Sequence, residues 1–195
     1  SYEALRKKSR GKFSMVKFAQ LKTLAKNTVG RSDAFLLKQM EITIDIENQL
    51  DAKIDEIESQ ILECIRALNP PILTIPGIGE LTAAIILSEY GNINNFENPA
   101  QLLSFAGLEP GYYQSGLAEH QGHMVKHGSS HLRYALMNAC LPLITYEPVF
   151  AEYYAKKRAE GKPHRVALTH VAKKLLRVIF TLQTKNISYD PTLIR

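Results

Sequence analysis

From Ala34 to Leu68 the chain runs through 35 residues without a glycine or a proline, and Pro70-Pro71 then stops it. An uninterrupted run of that kind fits a single long helix of about 52 Å, ended where the residue before a proline is pushed out of helical geometry. Within it Leu50, Ile54, Ile57, Ile61, Cys64 and Leu68 alternate spacings of four and three, a coiled-coil seam of fewer than three heptads. Upstream the seam blurs through Met40, Ile42, Ile44 and Ile46, so the register is expected to shift. Residues 41–63 carry eight acids against Lys53 alone. Paired acids can hold a catalytic metal, but these recur along one helix with no partner in a loop, which reads as a solvated or partner-facing surface. A seam this short and acidic is not expected to be stable alone. It therefore predicts a homo-oligomer through residues 34–68, or cover by the chain's own N-terminal helices.

Charge elsewhere has the opposite sign. Residues 1–31 carry nine Lys/Arg against Glu3, and residues 120–185 carry eleven against three Glu. Two basic segments around an acidic helix point to a polyanionic partner. Phe13, Val16, Phe18, Leu21 and Leu24 mark one or two basic N-terminal helices, closed by Gly30 and restarted at Ser32-Asp33. No apolar run approaches the ~20 residues that span a bilayer, and the start lacks the apolar core of a secretory signal. Both point to a cytoplasmic protein with no membrane partner. Cys64 and Cys140 lie in apolar helical patterns and read as buried, reduced thiols. The chain opens on Ser1 rather than methionine, which reads as a processed product or an expressed fragment.

Residues 72–91 contain Thr74-Ile75-Pro76-Gly77-Ile78-Gly79, followed by Ala83 and Ile86 at helical spacing. This resembles the helix-hairpin-helix of DNA-repair and recombination proteins. Two glycines allow a tight turn that exposes backbone N–H groups at a helix N-terminus, suited to a phosphate oxygen, while Ile78 points inward. Such contacts grip the backbone of DNA and not its bases. Gly77, Ile78 and Gly79 are therefore candidate DNA-binding residues. Glu80, just inside the following helix, is adverse to an anion there.

Ser104 to Arg133 is less regular. Five glycines and Pro110 punctuate it, and it holds Tyr112, Tyr113, Gln114, Ser115, four histidines, Lys126 and Arg133. Irregular backbone between rigid elements is a common place for chemistry. His120, His123, His127 and His131 have offsets of three, four and four, which on one helix would form a metal-binding row. Gly122 and Gly128 argue against such a helix, so no metal site is assigned. Downstream, helices are expected from Ser129 or Ser130 to about Tyr146, from Pro148 to Gly161, and from Pro163 onward. The last of them carries Lys173, Lys174 and Arg177 as further DNA-binding candidates. The fold class is all-α: a long helical arm over 1–69, a compact helical domain over 70–186, and a loose tail from 187 to 195.

The pieces TIPGIG, FAGLEP, Gln114-Ser115-Gly116, Lys126-His127-Gly128, Leu132-Arg133 and Ala172-Lys173-Lys174-Leu175-Leu176 occur in one order and spacing. Together they resemble the C-terminal half of the Piv/MooV-type DEDD transposases, the insertion sequence 110/116/902 group, over about residues 68–184. The resemblance implies an N-terminal RuvC-like nuclease domain with four acidic metal ligands, then a coiled coil, then a transposase domain with an essential serine. It also implies oligomers that act on DNA, some guided by a structured RNA. Carried onto this chain, the serine is Ser115, with Lys126 and Arg133 to hold phosphate. Two departures stand out: no RuvC-like domain is present, so the divalent metal belongs to residues not in this sequence, and Ser129 follows Gly128 where the family often has Asn. The expected function is the DNA-binding and strand-transfer part of an insertion-sequence transposase, inactive alone. The alternatives are a non-catalytic helix-hairpin-helix module and an oligomerisation module.

Overall fold

The computed structural model describes residues 1–27, 30, 33–115, 118–124 and 127–193, with side chains at all of these except 110–115, 118–124 and 193. The chain divides into two units, Ser1–Ala52 and Lys53–Arg195. The division falls inside the long helix.

In the first unit, α1 (Tyr2–Lys8) and α2 (Met15–Lys26) start at Ser1 and Ser14, whose hydroxyls accept from backbone N–H groups three residues on. Their packing is slight. Tyr2 meets Phe18 at 5.6 Å between ring centroids, and Lys22 lies 4.9 Å over the Phe18 ring. Lys8 donates to Asn48 on α3 (Ala34–Leu68) and lies 3.8 Å from Glu47. Asp33 caps α3 by accepting from the Phe35 N–H at 2.8 Å. No described residue of this unit is buried. The seam, which continues along α3 into the second unit, is open at Leu50, Ile54 and Leu68, which are 58%, 51% and 73% exposed.

The second unit has a core, and its spine is α8 (His164–Lys185), which buries nine residues from Ala167 to Leu182. Against it pack α5 (Pro99–Phe105), α6 (Ser130–Tyr146) and α7 (Pro148–Ala159), and α4 (Glu80–Tyr90) packs against α6. Ile72, Ile75, Ile86, Leu102, Leu136, Leu143 and Phe150 fill the space between them. The helix starts carry local signals: Asn98 accepts from the N–H groups of Ala100 and Gln101, and Pro99 and Pro148 take first-turn positions whose N–H would be unused. The body is all-α, as its periodicity predicts.

Two expectations are corrected and one segment is filled in. Residues 187–193 are not a loose tail: the Tyr189 N–H donates to Thr74 Oγ1 at 2.7 Å, and Pro191–Leu193 form a 3₁₀ turn. Cys140 is buried, which pushes its thiol up to about 12, but Cys64 is exposed on α3. The irregular stretch contains a two-stranded antiparallel hairpin, β1 (Pro110–Ser115) and β2 (Ala118–Met124), with an extra residue of β2 accommodated near Gly122. The strands form a sheet by themselves, and neither shows the apolar alternation by which a half-buried strand is recognised.

Gly77 has φ +86, and a Cβ there would lie 2.9 Å from the Pro142 carbonyl carbon of α6. Gly79 has an ordinary φ of −80 and open space around it. Gly77→Ala should therefore cost about 2–4 kcal/mol, combining strained backbone with overpacking. Gly79→Ala should cost under about 1 kcal/mol. Urea unfolding monitored by circular dichroism checks this, and equal losses would contradict the packing described.

Candidate nucleic-acid interface and hairpin root

The turn before α4 is built as its sequence demands. The Ile78 N–H donates to the Ile75 carbonyl at 3.1 Å, and Ile78 is only 7% exposed, so the turn is pinned to the core from inside. Gly79 is the N-cap of α4, is exposed, and supplies no side chain to the first N–H groups. Those groups form a partial positive charge. Glu80, adverse on sequence grounds, is held in a two-pronged pair with Arg66: Nε to Oε1 at 2.8 Å and Nη2 to Oε2 at 2.7 Å. The Arg66 hydrogen bond lowers the Glu80 carboxyl below its usual range, and Glu80 raises Arg66 in turn. The adverse charge is thereby matched.

The β1–β2 hairpin grows from a tightly tied root. α5 closes through Gly107, whose N–H donates to the Ser104 carbonyl at 2.8 Å, and Leu108 is fully buried. On the returning side the Ser129 N–H donates to the Phe105 carbonyl at 2.8 Å. Gly128, at φ +116, lies so close that a Cβ would collide with that carbonyl. Ser129 is the cap of α6, accepting from the Leu132 N–H at 3.0 Å and donating to Glu89 of α4 at 2.6 Å. Ser129 thus supplies the N-cap of α6 itself. Arg133, half-buried in the first turn of α6, donates from Nη1 to the Ala106 carbonyl at 3.0 Å.

Ser115 is the last residue of β1, paired with Ala118 of β2, so it ends the strand away from the root. Its side chain lies outside the described residues, and so do Lys126, Gly116 and Leu117 entirely. His120 and His123 lie on β2 and His131 on α6, so the four histidines do not share one helix. Among the described residues no three of His, Cys, Asp or Glu gather in a set able to hold a metal ion.

Lys173, Lys174 and Arg177 lie on the side of α8 that the core does not use. Burial lowers Lys173, the Arg177 charge lowers it further, and Glu109 at the hairpin root opposes the shift. The basic stripe therefore begins beside the root. The Gly77 turn does not: it meets α6 at Pro142, nine residues or about 14 Å along the helix from Arg133. The predicted residues thus form two groups at opposite ends of α6. Sequence reasoning did not find the Ser129–Glu89 and Arg133–Ala106 contacts, because neither partner carries a spacing that signals the other. Among the described residues no helix is long and apolar enough to cross a membrane.

Residues 69–155 match the model of the Transposase IS116/IS110/IS902 family, and the chain belongs to that family. It is 32% identical over 136 residues, 69% of its own length, to the Insertion element IS110 uncharacterized 43.6 kDa protein of Streptomyces coelicolor, covering 34% of that protein. It is 30% identical over 151 residues to the Pilin gene-inverting protein of Moraxella bovis, covering 75% of this chain and 46% of that one. It is 28% identical over 157 residues to the Transposase for insertion sequence element IS1111A of Coxiella burnetii, 79% of this chain and 41% of that protein. The chain thus spans between a third and a half of the length of these relatives.

If Arg133 holds the hairpin root, Arg133→Ala should destabilise the chain by about 1–2 kcal/mol, the range for losing a charged donor to a carbonyl. Hydrogen exchange of residues 105–109 should rise with it. An unchanged urea midpoint with unchanged exchange would show that the guanidinium does not hold the root.

Proposed function

We propose that this chain is the part of an insertion-sequence transposase that engages DNA and transfers its strands, with Ser115 as the nucleophile. The observation that carries the reading is the placement of Ser115 at the far end of a hairpin whose root stands beside Lys173, Arg177 and Arg133. In the proposed step the Ser115 Oγ attacks a DNA phosphorus and its proton passes to a general base such as a nearby histidine. The Oγ–P bond forms, the P–O bond to the departing strand end breaks, and that end takes up a proton. The phosphodiester energy is conserved in the phosphoserine link, so the strand can be rejoined to another.

Each remaining part has a task in this reading. The uncapped N–H groups at Gly79 and the neighbouring turn, read as a helix-hairpin-helix, grip duplex phosphates, with Ile78 as the internal lock. Lys173, Lys174 and Arg177 supply cations beside the hairpin, joined by Lys126. Assembly through residues 34–68 is the proposed role of the open α3 seam. The sparse packing of residues 1–52 favours it, because none of their described residues is buried.

Two measurements test the function. If about five phosphates are neutralised, log affinity for duplex DNA should fall against log salt with a slope of roughly −4 to −5. A slope near zero would contradict DNA engagement. In the full-length protein Ser115→Ala should abolish recombination while changing stability by under about 0.5 kcal/mol and leaving duplex affinity intact. Undiminished recombination would remove Ser115 from the chemistry.

A further inference from the structure

The cations of the second unit fall into two sets. On the outer end of α7, Lys157 and Lys162 pair with Glu160, and Arg158 donates to the Lys162 carbonyl. Their charge is locally matched. Lys156, Lys174, Arg177 and Lys185 form no ion pair among the described residues. These four converge on two adjoining cavities, of about 470 and 690 Å³, between α7, α8 and the C-terminal segment. Tyr153, Lys156 and Lys174 line both, which makes them one continuous groove.

The groove is organised for an anion. Lys174 Nζ lies 5.0 Å from the Tyr153 ring centroid and 5.6 Å from that of Phe150, so two aromatic faces hold the ammonium in place without neutralising it. Burial lowers Lys174, the behaviour of a cation partly stripped of water with too little countercharge. Glu152 and Asp190 are the acids on the rim. Asp190 is engaged by its own turn, accepting from the Thr192 N–H and hydroxyl at 2.8 and 2.7 Å. The opposite wall is the C-terminal segment, tied down through Tyr189 and Thr74.

Shape identifies the class of ligand. On α8, Lys173, Arg177, Thr181 and Lys185 recur at four-residue intervals, a stripe of about 18 Å along one face. It begins next to Glu109 at the hairpin root and ends at the C-terminal segment. A compact anion would need one seat, whereas an open track with successive cations fits a chain of phosphates. We propose that this groove is a binding site for a single polynucleotide strand, which leaves the hairpin and runs along α8 with its phosphates on Lys156, Lys174, Arg177 and Lys185. The site rests on the reading of the chain as a strand-transferring, DNA-engaging domain, and adds to it a second contact that takes unpaired strand, separate from the turn at Gly77. Lys157 and Lys174 both lie over the Tyr153 ring, at 5.5 and 5.0 Å from its centroid, so in this reading Tyr153 sets cation positions.

The test uses the 195-residue chain and fluorescence anisotropy with oligothymidylate and oligouridylate of about twelve nucleotides, plus a duplex of equal length. The variant is Lys156→Gln with Lys185→Gln; both residues are exposed, so the fold should be kept, and circular dichroism and thermal unfolding verify it. Single-strand affinity should fall by roughly tenfold or more at about 50 mM salt, and the salt slope should shrink by about 1.4. Duplex affinity should change by less than about twofold, and Lys156→Arg with Lys185→Arg should restore single-strand binding. Tighter binding of one oligomer would identify the natural strand as DNA or RNA. Unchanged single-strand affinity in the glutamine variant, or an equal loss for duplex, would overturn the groove while leaving the duplex reading in place. Wild-type chain that binds neither single strand nor duplex would overturn both.

Discussion

Everything in the second unit depends on α8 being wettable on one side only. Its buried residues from Ala167 to Leu182 form the surface on which α5, α6 and α7 close. A fully buried leucine such as Leu175 or Leu176 is worth several kcal/mol to a core of this kind. That burial fixes the rotation of the helix, and the rotation decides where its cations go. Lys173, Lys174, Arg177 and Lys185 project along the remaining side because the apolar stripe leaves them nowhere else. Core and basic surface are thus two consequences of one amphipathic pattern.

The same logic explains what could be seen in the residues beforehand. α3 was legible because no glycine or proline interrupts it, α8 because its apolar residues keep a helical period, and the breakers at Pro70-Pro71 and Pro163 bound them. Gly77 was legible as a turn glycine, but its second duty, close approach to Pro142, depends on a contact across the fold. The hairpin was not legible, because its ladder is backbone on backbone and its residues carry no alternation. Ser129 could be named as a cap, yet its bond to Glu89 joins positions forty residues apart. The C-terminal segment read as loose because a single backbone N–H to Thr74 leaves no mark on composition. Local rules found local structure, and the root of the hairpin is a long-range object.

The two units differ in kind. Lys53–Arg195 is a folded body with its own core, while Ser1–Ala52 has none among its described residues. A chain that covers between a third and a half of its relatives' length is well placed to contain one self-sufficient part and one that needs company. The rigid part is also where the rooted hairpin is. Gly128 against Phe105, Ser129 against Glu89 and Arg133 against Ala106 tie both strands of the hairpin to three helices. In the proposed reading, such a root would hold Ser115 at the end of a short lever without a loose base, as proximity-driven chemistry requires.

The account stands or falls on where DNA becomes attached. Full-length protein incubated with its DNA substrate and quenched in denaturant would trap any covalent intermediate, and mass spectrometry of the nuclease-treated adduct would map the modified residue. The account predicts a nucleotide on Ser115, absent when that serine is replaced. A nucleotide on any other residue, or strand transfer that proceeds without any trapped adduct, would contradict it.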